Sequence, residues 1–181
     1  MQMPAAQIPD TLRAQFKKSQ IALSLATASG DMPLCLVNDG FKSLCGYGQD
    51  DVAGRNCRFL QTSRTPPEQV RAIRHFLNDD TANDGRFPIL NQTRDGRDFM
   101  NLVFLSKLRR SSGELVFVLA SQFDLDMARR DGHQADHDAK LARNVSDVRR
   151  AASQLGLIMA DSAELIARSI TTLARITIRD E

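Results

Sequence analysis

The chain has 181 residues, a net charge of +2 and 42% apolar residues, enough for one ordinary core of about 100 to 150 residues with an appendage. Basic and acidic residues are interspersed along the whole length, so no tail or stripe points to nucleic acid as a partner. The opening MQMPAAQIPD has no cationic cluster ahead of an apolar run, and no stretch reaches the ~18 apolar residues of a membrane span, so a cytoplasmic protein without a membrane partner is expected.

Asp10 precedes TLRAQFKKSQ, in which Leu12 and Phe16 lie four apart; this predicts a short capped helix with one narrow apolar edge. From Ile21 to Val37 two apolar runs flank SGDMP, the pattern of a strand hairpin closed by a Gly/Pro turn. Asn38 to Gly46 and Gln49 to Ala53 read as short helical turns interrupted by Gly46, Gly48 and Gly54. Thr65, Pro66 and Glu68 form a helix start, with Thr65 as N-cap and Pro66 in first helical position. That helix is expected to run to about Leu77, burying Val70, Ile73 and Leu77 and carrying Arg74 at the stripe's edge.

After the polar loop NDDTANDG, three strand-like runs follow, Arg86 to Gln92, Asp98 to Leu108 and Glu114 to Phe123, separated by Asp95–Gly96 and Ser111–Gly113. Alternation puts Phe99, Asn101, Val103 and Leu105 on one face, and Met100, Leu102 and Phe104 on the other. In the last strand Val116, Val118, Ala120 and Gln122 oppose Leu115, Phe117, Leu119 and Phe123. Both faces are apolar, so both need cover.

Asn91, Asn101 and Gln122 break this pattern. A polar side chain on a buried face costs roughly 1–3 kcal/mol unless it is hydrogen-bonded. Each taken alone reads as facing water or pairing with a neighbour; together they suggest a bound ring with donors and acceptors on its edge.

Cys35, Cys45 and Cys57 are the only cysteines, with no CxxC and no Cys/His pair at ligand spacing, so neither a disulfide framework nor a metal site is expected. Cys35 in PLCLV and Cys45 in SLCGY read as inert buried thiols. Cys57 sits among polar residues. Beyond Leu125 the strand pattern stops, and Leu141, Val145, Val148, Ala152, Leu155 and Met159 recur at spacings of three and four, a coiled-coil-like seam. Asp161 and Glu164 resemble a second capping box ahead of Leu165 to Ile176, so a helical hairpin or one bent helix is expected.

GRNCRFLQ at Gly54 to Gln61 resembles the signature of the LOV (light, oxygen or voltage) subfamily of PAS domains. NDGF at Asn38, IR at Ile73–Arg74, NQTRDGRDFMNL at Asn91 to Leu102 and SQFD at Ser121 follow in the same order, and the resemblance covers about Ile21 to Asp124. It implies an α+β PAS fold, a five-stranded antiparallel sheet with flanking helices. The chain then divides into an N-terminal cap helix (1–20), a flavin-binding domain (21–124) and a C-terminal helical extension (125–181).

It also implies FMN as cofactor and Cys57 as the thiol that adds reversibly to the photoexcited ring. By the same resemblance Asn56 and Gln61 would meet the ribityl chain and ring edge, Arg58 and Arg74 the phosphate, and Asn91, Asn101 and Gln122 the ring. Two guanidiniums suit a phosphate, and amides suit a heterocycle's edge. Val118 and Val103 depart from the aromatic packing common in the family, and Leu25 stands where a hydroxyl is frequent.

A sensor is expected rather than an enzyme, signalling from Gln122 through flanking helices and a light-sensitive homodimer. His133 and His137 in DGHQADHD read as solvated linker rather than a phosphoacceptor site. The competing readings are a flavin-dependent redox sensor or oxidoreductase, opposed by the lack of a GxGxxG and of a nearby resolving cysteine, and a PAS module that only dimerises.

Overall fold

The computed structural model describes residue 8 and residues 10–19, 21–130 and 157–158. The helix α1 (Asp10–Lys18) leads into the hairpin of β1 (Ala22–Thr27) and β2 (Leu34–Val37). Two short helices, α2 (Asp39–Cys45) and α3 (Gln49–Val52), are followed by a single 3-10 turn, Cys57–Leu60, and by α4 (Pro67–Asn78). A meander of β3 (Asp84–Gln92), β4 (Asp98–Arg110) and β5 (Leu115–Asp124) comes next, then α5 (Leu125–Arg130) and the two-residue strand β6 (Leu157–Ile158).

The sheet order is β2-β1-β5-β4-β3, with antiparallel neighbours throughout, and β6 pairs with the far end of β4. The α+β fold and five-stranded sheet expected from the sequence are therefore present. Because β1 lies beside β5, the first strand and the last strand of the meander meet in the middle of the sheet. Ser24 stands opposite Ala120 and Ala22 opposite Gln122.

Each face has its own core. Leu23, Leu25, Leu102, Phe104, Leu108, Phe117 and Leu119 pack on the outer face with Ile8, Leu12 and Phe16 of the N-terminal segment. On the opposite face α2, α3 and the 3-10 turn enclose Phe41, Cys45, Val52, Leu60 and Phe99, while α4 covers Ile89, Val103, Leu105, Val118 and Ala120. Asn38 fastens the two sides together: its amide N–H donates to the carbonyls of Phe16, Ser19 and Ile21 at 3.2, 3.1 and 2.7 Å, and its oxygen caps α2 through the Phe41 N–H.

Several local expectations change. Thr65 does not cap α4; Pro66 occupies that position without a side-chain bond, and the Thr65 hydroxyl donates to the Leu90 carbonyl at 2.7 Å. The hydroxyl ties the loop to β3, a contact distant in sequence. Phe76 is the buried residue of α4, whereas Val70, Ile73 and Leu77 are half-buried. Val116 joins the outer core rather than the face of Val118, because the β4–β5 register shifts between Leu108 and Arg109. Leu157 and Ile158, expected inside the seam helix, pair with Arg110 and Arg109 of β4. Apart from α5, the rest of the expected helical extension, including His133 and His137, lies outside the described residues.

Lys107, on the cavity-side face of β4, is almost fully buried. Its Nζ donates to the carbonyls of Phe76 and Asp79 at 2.8 and 2.5 Å and lies 4.7 Å from the Phe76 ring centre. A cation thus satisfies carbonyls left over at the helix's C-terminal end and pins α4 to the sheet. Desolvation lowers its pKa.

Candidate ligand-binding site

Between the sheet and α4 lies a cavity of about 130 Å³. One wall is made by Ser24, Ala26, Ile89, Asn91, Asn101, Val103, Leu105, Val118, Ala120 and Gln122 of the sheet, and the other by Asn56, Cys57, Arg58, Gln61, Ile73 and Leu77. Of the eight site residues expected from the sequence, all but Arg74 line it. Arg74 is exposed on α4, next to the lining residue Ile73.

The segment Gly54 to Gln61 reaches the cavity through a turn that only glycine adopts without strain: Gly54 has φ +80°. Its N–H donates to the Leu34 carbonyl at 2.9 Å, and the Leu34 N–H to the Arg55 carbonyl at 2.8 Å, which fixes the segment against β2. Asn56 then caps the 3-10 turn, its oxygen accepting from the Arg58 N–H at 2.9 Å. This cap brings Cys57 to the cavity wall.

Cys57 is half-buried, and desolvation, with a smaller contribution from nearby Cys45, pushes its thiol up to about 12. Burial likewise raises Cys35 and Cys45 to about 11. Cys57 is therefore a neutral thiol at neutral pH rather than a standing nucleophile.

The amides form a ladder across the sheet. Asn101 Nδ2 donates to Asn91 Oδ1 at 2.9 Å and to Gln122 Oε1 at 3.0 Å, and Gln122 Nε2 donates to Ser24 Oγ at 3.0 Å. They thus pair with one another while also facing the cavity. The ladder is incomplete at one atom: Asn101 Oδ1 is buried with no partner among the described residues. A buried acceptor left unpaired costs roughly 1–3 kcal/mol, and here it stands in a cavity wall.

Ser24 is a site residue that the sequence reading passed over in favour of Leu25. Leu25 points to the outer core, and the hydroxyl on the cavity side belongs to Ser24. Alternation along ALSLAT carries that signal, since Leu23 and Leu25 share one face and Ser24 and Ala26 the other. Asp31 was also missed. It lies in the turn between β1 and β2, where it pairs with Arg58.

Residues 23–126 match the family model described as PAS domain. The chain is 34% identical over 114 residues to blue-light-activated histidine kinase 1 of Erythrobacter litoralis (strain HTCC2594), a match covering 62% of this chain and 31% of that protein. It is 30% identical over 187 aligned positions to phototropin-1A of Oryza sativa subsp. japonica, covering 96% of this chain and 20% of that one. It thus corresponds to only part of either longer protein. The solved structure of the Rhodobacter sphaeroides LOV protein superposes with a TM-score of 0.73 and 26% identity, covering 95% of this chain and 98% of that one.

The chain belongs to the PAS domain family. Within that family it is a LOV domain, the class to which its structural neighbours and blue-light relatives point.

Proposed function

We propose that the chain is a blue-light photoreceptor that holds FMN in this cavity and, on illumination, forms a reversible bond between the Cys57 sulfur and the flavin ring. The observation that carries this reading is the unpartnered Asn101 Oδ1 in an amide ladder lining the same cavity as Cys57. A bound flavin supplies a blue-absorbing planar ring with an N–H donor and carbonyl acceptors on its edge, and an excited state open to attack by sulfur.

The residues fit such a group. Asn101 Oδ1 offers the acceptor that a ring N–H needs, and Asn91 and Gln122 add further donors and acceptors. Asn56 and Gln61 line the approach, with Arg58, and Arg74 nearby, as the cations for a phosphate. The neutral Cys57 thiol holds its proton in the dark and would give up sulfur and proton together. High thiol pKa values also count against a dark redox sensor, which works through thiolate.

Output would begin at Gln122. Turning its amide end for end reverses the bond to Ser24, whose hydroxyl then donates, and sets a donor against the Asn101 donor, so the ladder must rearrange. Two residues further along β5, Asp124 accepts from Arg97 at 2.8 Å and caps α5 through the Asp126 N–H at 2.9 Å. A small movement of β5 is thereby felt at the start of α5, the beginning of the helical extension in the 1–20, 21–124 and 125–181 division. In this reading the chain itself is a sensor without catalysis, acting through helix packing in a light-sensitive homodimer.

Cys57→Ala tests the assignment. The variant should retain flavin, because the ladder and the cationic groups remain, yet show no light-induced bleaching. Normal bleaching of this variant would remove Cys57 from the reaction.

A further inference from the structure

We infer that Asp31 sets how strongly the site prefers a phosphorylated flavin over an unphosphorylated one, by holding a negative charge beside the guanidinium that meets the phosphate; this rests on the flavin reading above. Arg58 lines the cavity, and its Nη2 donates to Asp31 Oδ2. The expected phosphate anchor therefore already has an anionic partner within the chain.

Backbone contacts fix the position of that partner. Asn56 Nδ2 donates to the Asp31 carbonyl at 2.5 Å, the Met32 N–H to the Ser29 carbonyl at 3.1 Å, and the Thr27 N–H to the Pro33 carbonyl at 3.0 Å. Met32 is held at φ +50°, in the left-handed region, with its side chain in the cavity wall. The turn thus sets the Asp31 carboxylate against Arg58, a residue of the cavity lining. Asn56 and Arg58, which flank Cys57, both hold this residue, Asn56 through the Asp31 carbonyl and Arg58 through the carboxylate.

The pair is open to water, with side-chain exposures of 60% for Arg58 and 63% for Asp31, so by itself it contributes little to stability. One guanidinium has five donors, and Asp31 engages one of its nitrogens, leaving others for a second acceptor. The hydrogen bond from Arg58 holds the Asp31 carboxyl below its ordinary range, which keeps it anionic at neutral pH.

A neutral ribityl hydroxyl would donate to the Asp31 carboxylate. A phosphate dianion on Arg58 meets it as a like charge. At about 6 Å in water-like surroundings, two charges against one change binding by about tenfold, and screening at physiological salt lowers this to about threefold. The effect falls only on the phosphorylated ligand, which makes it a matter of specificity rather than general affinity.

The test is a competition. The 181-residue chain as wild type, Asp31→Asn and Asp31→Ser is dialysed against equimolar riboflavin and FMN, and the bound flavins are released and quantified by chromatography. Both substitutions keep the Asp31 carbonyl that Asn56 holds. The bound FMN-to-riboflavin ratio should rise about threefold to tenfold in the variants, and the gap from wild type should narrow at high salt. An unchanged or lower ratio, with flavin bound, overturns the role of Asp31 and leaves the flavin reading standing. A wild-type chain that takes up neither flavin overturns both.

Discussion

The two faces of the sheet are written in alternate residues of the same strands, yet one is filled by side chains and the other leaves room. Along β1, Leu23 and Leu25 enter the outer core, while Ser24 and Ala26 line the cavity. Along β5, Phe117 and Leu119 pack outward and Val118, Ala120 and Gln122 face inward. The outer face packs large side chains against Leu12 and Phe16 of α1, as a protein interior does. The cavity face pairs small side chains with amides, so its polar groups have each other as partners and still have space in front of them. A binding wall here is a core face with volume withdrawn and hydrogen-bonding groups added.

The largest difference should appear in stability. Phe104→Ala removes a buried ring from the outer core and should cost about 3–5 kcal/mol, whereas Val118→Ala enlarges an existing cavity and should cost about 0.5–1.5 kcal/mol. Urea denaturation of both variants without added flavin checks this. Equal losses would mean that the two faces are packed alike.

Next comes the chemistry of the cavity thiol. With Cys57 at about 12 against an ordinary 9, its thiolate fraction at pH 8 is about a thousandfold lower than that of a free thiol, and alkylation in the dark should slow accordingly. Site-resolved mass spectrometry gives the rate. Linkage has the same origin: a folded-state pKa above the unfolded value adds stability that is full below about 9 and is lost as pH rises toward 12. Rapid dark alkylation of Cys57 would favour the redox reading instead.

A smaller effect separates the amide ladder from simple packing. Asn101→Leu keeps the branched shape but leaves Asn91 Oδ1 and Gln122 Oε1 without the donor they share. Flavin retention should weaken about tenfold to a hundredfold, as measured by release on dilution. Retention equal to wild type would show that the ladder only supports the sheet.

The parts legible in the sequence are those governed by short-range pattern. Alternation located the meander, and three amides at inward positions gave the cavity its polar wall. The motif GRNCRFLQ gathered four lining residues because one glycine turn and one Asn cap set them all. Contacts between distant segments were not legible. Nothing near Thr65 shows that its hydroxyl will be taken by Leu90, nothing near Lys107 that the carbonyls of Phe76 and Asp79 await it, and nothing near Asp31 that Arg58 lies across the turn. The place of Ser24 could be read from alternation, but its bond to Gln122 depends on β1 joining β5. Arg74 shows the converse: its place in the motif was plain, while α4 presents Ile73 and Leu77 to the cavity and leaves Arg74 exposed.

The most direct measurement is the absorption spectrum of the purified chain in the dark, after a blue flash, and during the return to darkness. A yellow protein is expected whose blue absorption band is lost on illumination and returns in the dark, with Cys57→Ala keeping the band unchanged throughout. A colourless protein with an intact fold that takes up no added flavin, or a flavin-bound chain whose spectrum does not respond to light, would contradict this expectation.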